Sequence, residues 1–198
     1  EGKGTLAFGN REGVLWFGSS KSGAEAPRTY ASLPSNITGT AGVTFAGRRL
    51  VNTEDLVAMI TMPPEHVAAW LGPTHIANLR LKASHANLPD GGDVYVDGND
   101  DTTNGGGQLW INEGASTWTQ KFHLSGSGIS PNDDGATLYF SENGVQTLTA
   151  PMTVDSTVRI FANGDKALPK LMGNISGLGG IALKSGGDAG AYIQVSGT

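Results

Sequence analysis

Apolar positions along this chain recur with a period of two, in short bursts that lack the three-to-four spacing of a helix. The bursts fall at 5–9 ("TLAFG"), 13–18 ("GVLWFG"), 42–47 ("GVTFAG"), 78–83 ("NLRLKA"), 93–98 ("DVYVDG") and 107–112 ("GQLWIN"). They continue at 120–126 ("QKFHLSG"), 136–141 ("ATLYFS"), 146–150 ("QTLTA"), 156–162 ("STVRIFA"), 180–186 ("GIALKSG") and 191–197 ("AYIQVSG"). Each is bounded by Gly, Asn, Asp, Ser or Pro, so each predicts a short strand with one buried face. The later bursts follow one another at about ten-residue spacing, which a sandwich, a barrel or a solenoid all share.

Turn chemistry narrows the choice. Asp97-Gly98, Asn143-Gly144 and Asn163-Gly164 are dipeptides that favour hairpins. A different grammar appears in "NITGTAGVTFAG" (36–47) and "NISGLGGIALKSG" (174–186), with Val43 and Ile181 at equivalent places 138 residues apart. "HLSGSGIS" (123–130) is a looser third copy. Glycines ahead of an apolar strand let the backbone turn a corner and extend again at once. Gly177, Gly179 and Gly180 are therefore predicted to turn the corner into Ile181–Leu183. Used in several coils, such corners stack into a solenoid.

One stretch departs from this. "NTEDLVAMITMPPEHVAAWLGPT" (52–74) carries Asn52 or Thr53 as a cap, Glu54 and Asp55 in a first turn, Pro64 at a helix start and Gly72 past its end. It predicts one or two short helices inserted between strands, acting as a cap or side cover.

Composition sets the outer bounds. The 198 residues suffice for one domain, read as 1–198. Thirty glycines with 16% charged residues fit many strands and tight turns. A net charge of −5, with 13 scattered basic residues, argues against a nucleic-acid partner. The absence of cysteine excludes disulfides and thiolate metal sites. No apolar run reaches the ~20 residues of a transmembrane helix. The start at "EGKG" reads as a mature or trimmed end without a secretory leader.

The stretch from "QLWINEGASTWTQKFHLSGSGISPNDDGATLYFSENGVQTLTAPMTVDSTVRIFANG" to "LMGNISGLGGIALKSGGDAGAYIQVSGT" resembles the autotransporter-associated β-strand repeat of bacterial passenger domains. The motifs that carry it are the "LSGSG" turn before an apolar strand, the "LTAPMTVDSTVRI" strand pair and the "ISGLGGIALKSG" close. The match runs through 107–198, touches 4–47 and 78–98, and omits 48–77. The resemblance implies an all-β, right-handed parallel β-helix (a solenoid) that is secreted or displayed on the outer surface of a bacterium. For such a surface module the expected role is adhesion, with a host glycan or glycoprotein as partner.

Candidate chemistry is sparse. His66, His75, His85 and His123 have no zinc-ligand spacing. Asp97-x-Asn99-x-Asp101 begins like a calcium loop, but Thr102 takes the glycine position and Gln108 replaces the bidentate glutamate. Calcium is the one cofactor that the chain hints at. Aspartic peptidases need two Asp-Thr/Ser-Gly loops; "DDTT" at 100–103 and "VDST" at 154–157 come nearest, each without the glycine. Asp101 and Asp155 are thus the catalytic candidates of an alternative reading, an extracellular hydrolase of mucin-type glycoprotein or polysaccharide.

The strands offer a binding site instead. "LWF" (15–17), "LWI" (109–111) and "LYF" (138–140) share an apolar–aromatic–apolar plan. Alternation turns Trp16, Trp110 and Tyr139 outward, and exposed rings suit stacking on sugars. Trp110 and Tyr139, 29 residues apart, are expected on neighbouring coils of one face, open to ligand or covered by Val67, Trp70 and Leu71 of the 52–74 segment.

Overall fold

The structure, a computed structural model, describes residues 4–18, 30–33, 36–47, 58–98, 105–129, 136–163, 167–186 and 191–197. Among them the single helical element is a 3-10 turn, His85–Asn87. Strands are laid down in successive passes. The first gives β1 (Thr5–Ala7), β2 (Gly13–Phe17) and β3 (Tyr30–Ser32), the second β4 (Asn36–Gly39), β5 (Val43–Gly47) and β6 (Ala58–Thr61). The third gives β7 (Ala69–Trp70), β8 (Thr74–Ala77) and β9 (Leu79–Ala83). In the fourth, the 3-10 turn stands ahead of β10 (Asp93–Asp97) and β11 (Gln108–Ile111). The fifth gives β12 (Ser116–Trp118), β13 (Lys121–Ser125) and β14 (Leu138–Phe140). The sixth gives β15 (Gln146–Leu148), β16 (Met152–Val154) and β17 (Val158–Ala162). Last come β18 (Lys170–Leu171), β19 (Ile175–Ser176), β20 (Ile181–Ser185) and β21 (Gln194–Val195).

Each pass feeds the same sheets in the same order. Sheet B runs β2-β5-β8-β10-β13-β16-β19, and sheet C runs β3-β6-β9-β11-β14-β17-β20. The remaining row is sheet A, β1-β4-β7, followed after the 3-10 turn by sheet D, β12-β15-β18-β21. Every pairing among these strands is parallel. The hairpins expected from the Asx-Gly dipeptides therefore do not form: consecutive strands belong to different sheets. Gly98 and Gly144 stand at such crossings.

Alternation decides what goes inside. Phe45, Ile76, Val96, Leu124 and Val154 stand opposite one another along sheet B, as do Ile60, Leu81, Leu109, Leu138 and Ile160 along sheet C. These columns are buried and merge into one apolar core. Stacking like on like buries each side chain against its neighbours above and below, at about 1.5–3 kcal/mol for each large residue. Paired residues are 20 apart at Thr74 and Val94 but 31 apart at Thr5 and Asn36. The slack lies in the corner loops, since register is held by the buried columns.

Two expectations need correction. The 52–74 segment is not helical over its described part, 58–74, which holds β6, β7 and the first residue of β8. Ala58 and Ile60 point inward and Met59 outward, the period of a strand. Pro63 and Pro64 lack the amide donors that a helix through 58–64 requires, and β6 instead pairs with β9. Pro64 starts only a turn, closed by His66 N–H donating to Pro63 O at 2.9 Å. Gly72 caps nothing; it sits where a side chain would strike the Gly42 backbone of the corner beside it. The proposed caps at 52–55 lie outside the described residues.

The second correction concerns the glycine corner. Gly177 has φ +114°, and it and Gly179 press on the backbones of Val154 and Ser156. Both need glycine. Gly180 does not, because a Cβ there would meet only Thr157 Oγ1 at 3.8 Å. The repeated grammar also turns two different corners. In 36–47 it carries the chain from sheet A to sheet B (β4 to β5), whereas in 174–186 it leads from sheet B to sheet C (β19 to β20). It encodes a way of turning, not a place in the pass.

Candidate functional site

The outer face of sheet B carries a ladder of polar rings. Burying Thr74 and Ile76, Val94 and Val96, and Phe122 and Leu124 turns His75, Tyr95 and His123 outward. Register aligns them in one column, with Thr44 on one side and Thr153 on the other. The rings stack nearly parallel: His75 and Tyr95 at 4.6 Å and 7°, Tyr95 and His123 at 4.3 Å and 11°. Their faces cover one another, so the ladder presents ring edges, with imidazole nitrogens and a phenol hydroxyl, to solvent. Tyr95 is 37% exposed.

Carboxylates flank the rings. His123 Nε2 donates to Asp93 Oδ1 at 2.8 Å. Asp97 Oδ1 accepts from Ser125 Oγ at 3.0 Å. Glu12, farther along the face, accepts from Thr44 Oγ1. His75, Tyr95, Asp97, His123, Ser125 and Asp155 line a shallow groove of about 220 Å³. A carboxylate has about four acceptor sites, so each retains capacity for the hydroxyl groups of a ligand.

The structure separates the ligand-binding residues that the sequence grouped. Trp16 lies on sheet B, 64% exposed, in the column that continues through Ala46 and Ala77 to Asp97. Trp110 and Tyr139 lie on sheet C, paired in register as expected, with centroids 4.8 Å apart. They do not form an open strip. Tyr139 is only 6% exposed, in a second apolar cluster with Ala136 and Phe161 against which Trp110 packs. Its hydroxyl accepts from Asn163 Nδ2 at 2.8 Å, and Trp110 Nε1 donates to Ser141 Oγ at 2.6 Å. Lys82 lies over the Trp110 ring at 4.6 Å, Arg80 at 5.1 Å, and Lys184 over Phe161 at 5.5 Å. The 52–74 segment does not supply the cover either: Trp70 is buried in the main core against Phe45, while Val67 and Leu71 are exposed.

The acidic candidates divide similarly. Asp155 is exposed at the end of β16 and reaches the sheet B groove beside Asp97. Asn99 and Asp101 lie outside the described residues, so the calcium loop and the Asp101–Asp155 pair reduce here to Asp97 and Asp155. Among the described residues no group of three or more His, Asp or Glu side chains is arranged to hold a metal ion. No helix there is long and apolar enough to cross a membrane.

The ladder is only partly legible in the sequence. "THI" (74–76), "VYV" (94–96) and "FHL" (122–124) place a ring between flanking residues that turn inward, the plan noticed in "LWI" and "LYF". The helix signals over 52–74 leave His75 without a strand of its own, and the unequal 20- and 28-residue spacings do not by themselves reveal one column. Comparison with protein-family models, curated proteins and solved structures gave no match to this chain.

Proposed function

We propose that the chain is a right-handed parallel β-helix of the autotransporter-repeat kind, secreted or displayed at a bacterial surface. Its work is binding: a hydroxyl-rich ligand, host glycan or glycoprotein, held on the outer face of sheet B. Sheets fed in constant order by parallel strands support the β-helix, and parallel crossovers are right-handed in about 98% of cases. The observation that carries the binding role is the sheet B column, His75, Tyr95 and His123, with Asp93, Asp97 and Asp155 beside it. Ring edges and carboxylates are complementary to hydroxyl donors and acceptors, and the exposed Trp16 adds a surface for the apolar face of a sugar.

A glycan array followed by titration calorimetry tests this. Tyr95→Ala and Asp97→Asn should each weaken binding at least tenfold with folding intact, while Gln194→Ala on β21 leaves it unchanged. Equal affinity in all three variants sinks the assignment.

A hydrolase is the second reading, favoured by one fact: Asp97 and Asp155 share a groove. Continuing the register of β10, β13 and β16 sets their backbones two strands apart, roughly 9.6 Å. Inverting glycosidases hold their carboxyls about 6.5–9.5 Å apart. Release of sugar or peptide from mucin or casein, abolished by Asp155→Asn or Asp97→Asn, would establish this reading over the first.

A further inference from the structure

The row shared by sheets A and D is broken once, and the break is held open by buried side chains. Between β7 and β12 the chain makes the 3-10 turn His85–Asn87 and continues through Leu88–Gly92 instead of forming a strand. Two buried amides, one in the break and one on the next pass, bind backbone carbonyls around it. Asn87 Nδ2 donates to Pro63 O at 2.9 Å and to His66 O at 2.5 Å. Gln120 Nε2 reaches His85 O at 3.1 Å, Leu88 O at 3.3 Å and Pro89 O at 3.2 Å. Burying amides to satisfy an irregular backbone is costly where a regular strand would serve. In a regular repeat, departures from local rules gather at functional or strained places.

What the break creates is space. A groove of about 660 Å³ runs past Trp70, Leu71, Pro73, Pro89, Asp90 and Asp93. A second, of about 400 Å³, adjoins it at Ala68 and Asp90 and is walled by Val67, His85, Thr117 and Thr119. The rim is apolar, with Leu71 78% and Val67 61% exposed. Exposed polar groups stand beside it: Thr119 Oγ1 donates to Asp90, and His85 Nδ1 donates to Glu113 Oε2 at 2.8 Å. Asp93 joins this groove to the ladder, since it lines the larger cavity and holds His123.

We infer that the ligand of the sheet B face is an oligosaccharide of several sugar units, bound along one track from the ladder past Asp93 into the broken row. This rests on the proposed glycan-binding role of sheet B and adds the length of the ligand. The ladder groove alone is smaller than the ~300–1,000 Å³ that encloses a small ligand, while the groove at the break falls within that range. Acceptors at Asp90 and Asp93 meet sugar hydroxyls, and Leu71 and Val67 cover the C–H faces. Neighbouring subsites on one chain add their contributions without a second association step.

The test is calorimetry and array binding of the full chain on neutral glycans, each presented at one, two, four and six sugar units. Affinity should rise at least tenfold between two and six units. Leu71→Asp, Val67→Asp and Asp90→Asn should each flatten that rise yet keep the affinity for two units, and Tyr95→Ala should reduce binding at every length. Leu71 and Val67 are exposed, so their variants fold. Binding that does not depend on length, or that keeps its length dependence in all three groove variants, overturns the track and leaves the sheet B reading standing. No binding at any length overturns both.

Discussion

Sheet B carries His75, Tyr95 and His123 on three successive strands, and sheet C carries Trp110, Tyr139 and Phe161 in the same way. On sheet B the planes lie 7° and 11° apart, so ring edges point outward. On sheet C neighbouring planes meet at 76° and 63°, each edge set into the next face, and the row closes over itself. The company differs too. Asp93, Asp97 and Asp155 attend the open row, whereas Lys82, Arg80 and Lys184 lie over the closed one, where cation and ring attract. Parallel pairing supplies the same column of outward rings on both sheets. Tilt and neighbours then make one a second core and leave the other an open polar row.

The sharpest way to break this contrast is stability. Phe161→Ala should cost about 3–5 kcal/mol, as for a buried ring, and shift the denaturant midpoint accordingly. A cost below ~1 kcal/mol would make the sheet C row another exposed surface and end the comparison. Next comes the corner between the faces. Gly177→Val combines a disallowed φ with collision on the Val154 backbone and should cost at least 1–3 kcal/mol, while Gly180→Ala stays within about 0.5 kcal/mol of neutral. Thermal melts of the two variants check the ordering. Tyr95→Ala on the open row forfeits two ring contacts at about 0.5–1.5 kcal/mol each. It should therefore be clearly milder than Phe161→Ala. Among the ring contacts the smallest is Lys82→Met, roughly 0.5–1 kcal/mol, read most directly as a change in Trp110 fluorescence. An unchanged spectrum would remove the cation from the cover.

Some of this was legible from residues alone. The "LWI" and "LYF" plan put Trp110 and Tyr139 opposite each other, because 29 residues is one pass and alternation fixes the side of each ring. That Tyr139 is covered was not legible. The cover comes from Ala136 and from Phe161, the next ring in the column, at a tilt that no local pattern encodes. The 52–74 segment misled through its helix-end signals, Pro64 and Gly72, which a strand stack uses for a turn and a tight corner.

By itself the sequence determined the five-residue strands, the inward residues of each and the use of glycine at corners, but not β6 to β8 inside 52–74. These depend on near neighbours along the chain, through side-chain alternation and allowed φ. Tertiary structure alone decided which outward residues stand together in one column. The passes vary from 20 to 31 residues, so His75, Tyr95 and His123 meet only once parallel register has absorbed the difference in their loops. The break at His85–Asn87 is likewise tertiary, since its carbonyls are satisfied by Gln120, 31 to 35 residues away, on the next pass.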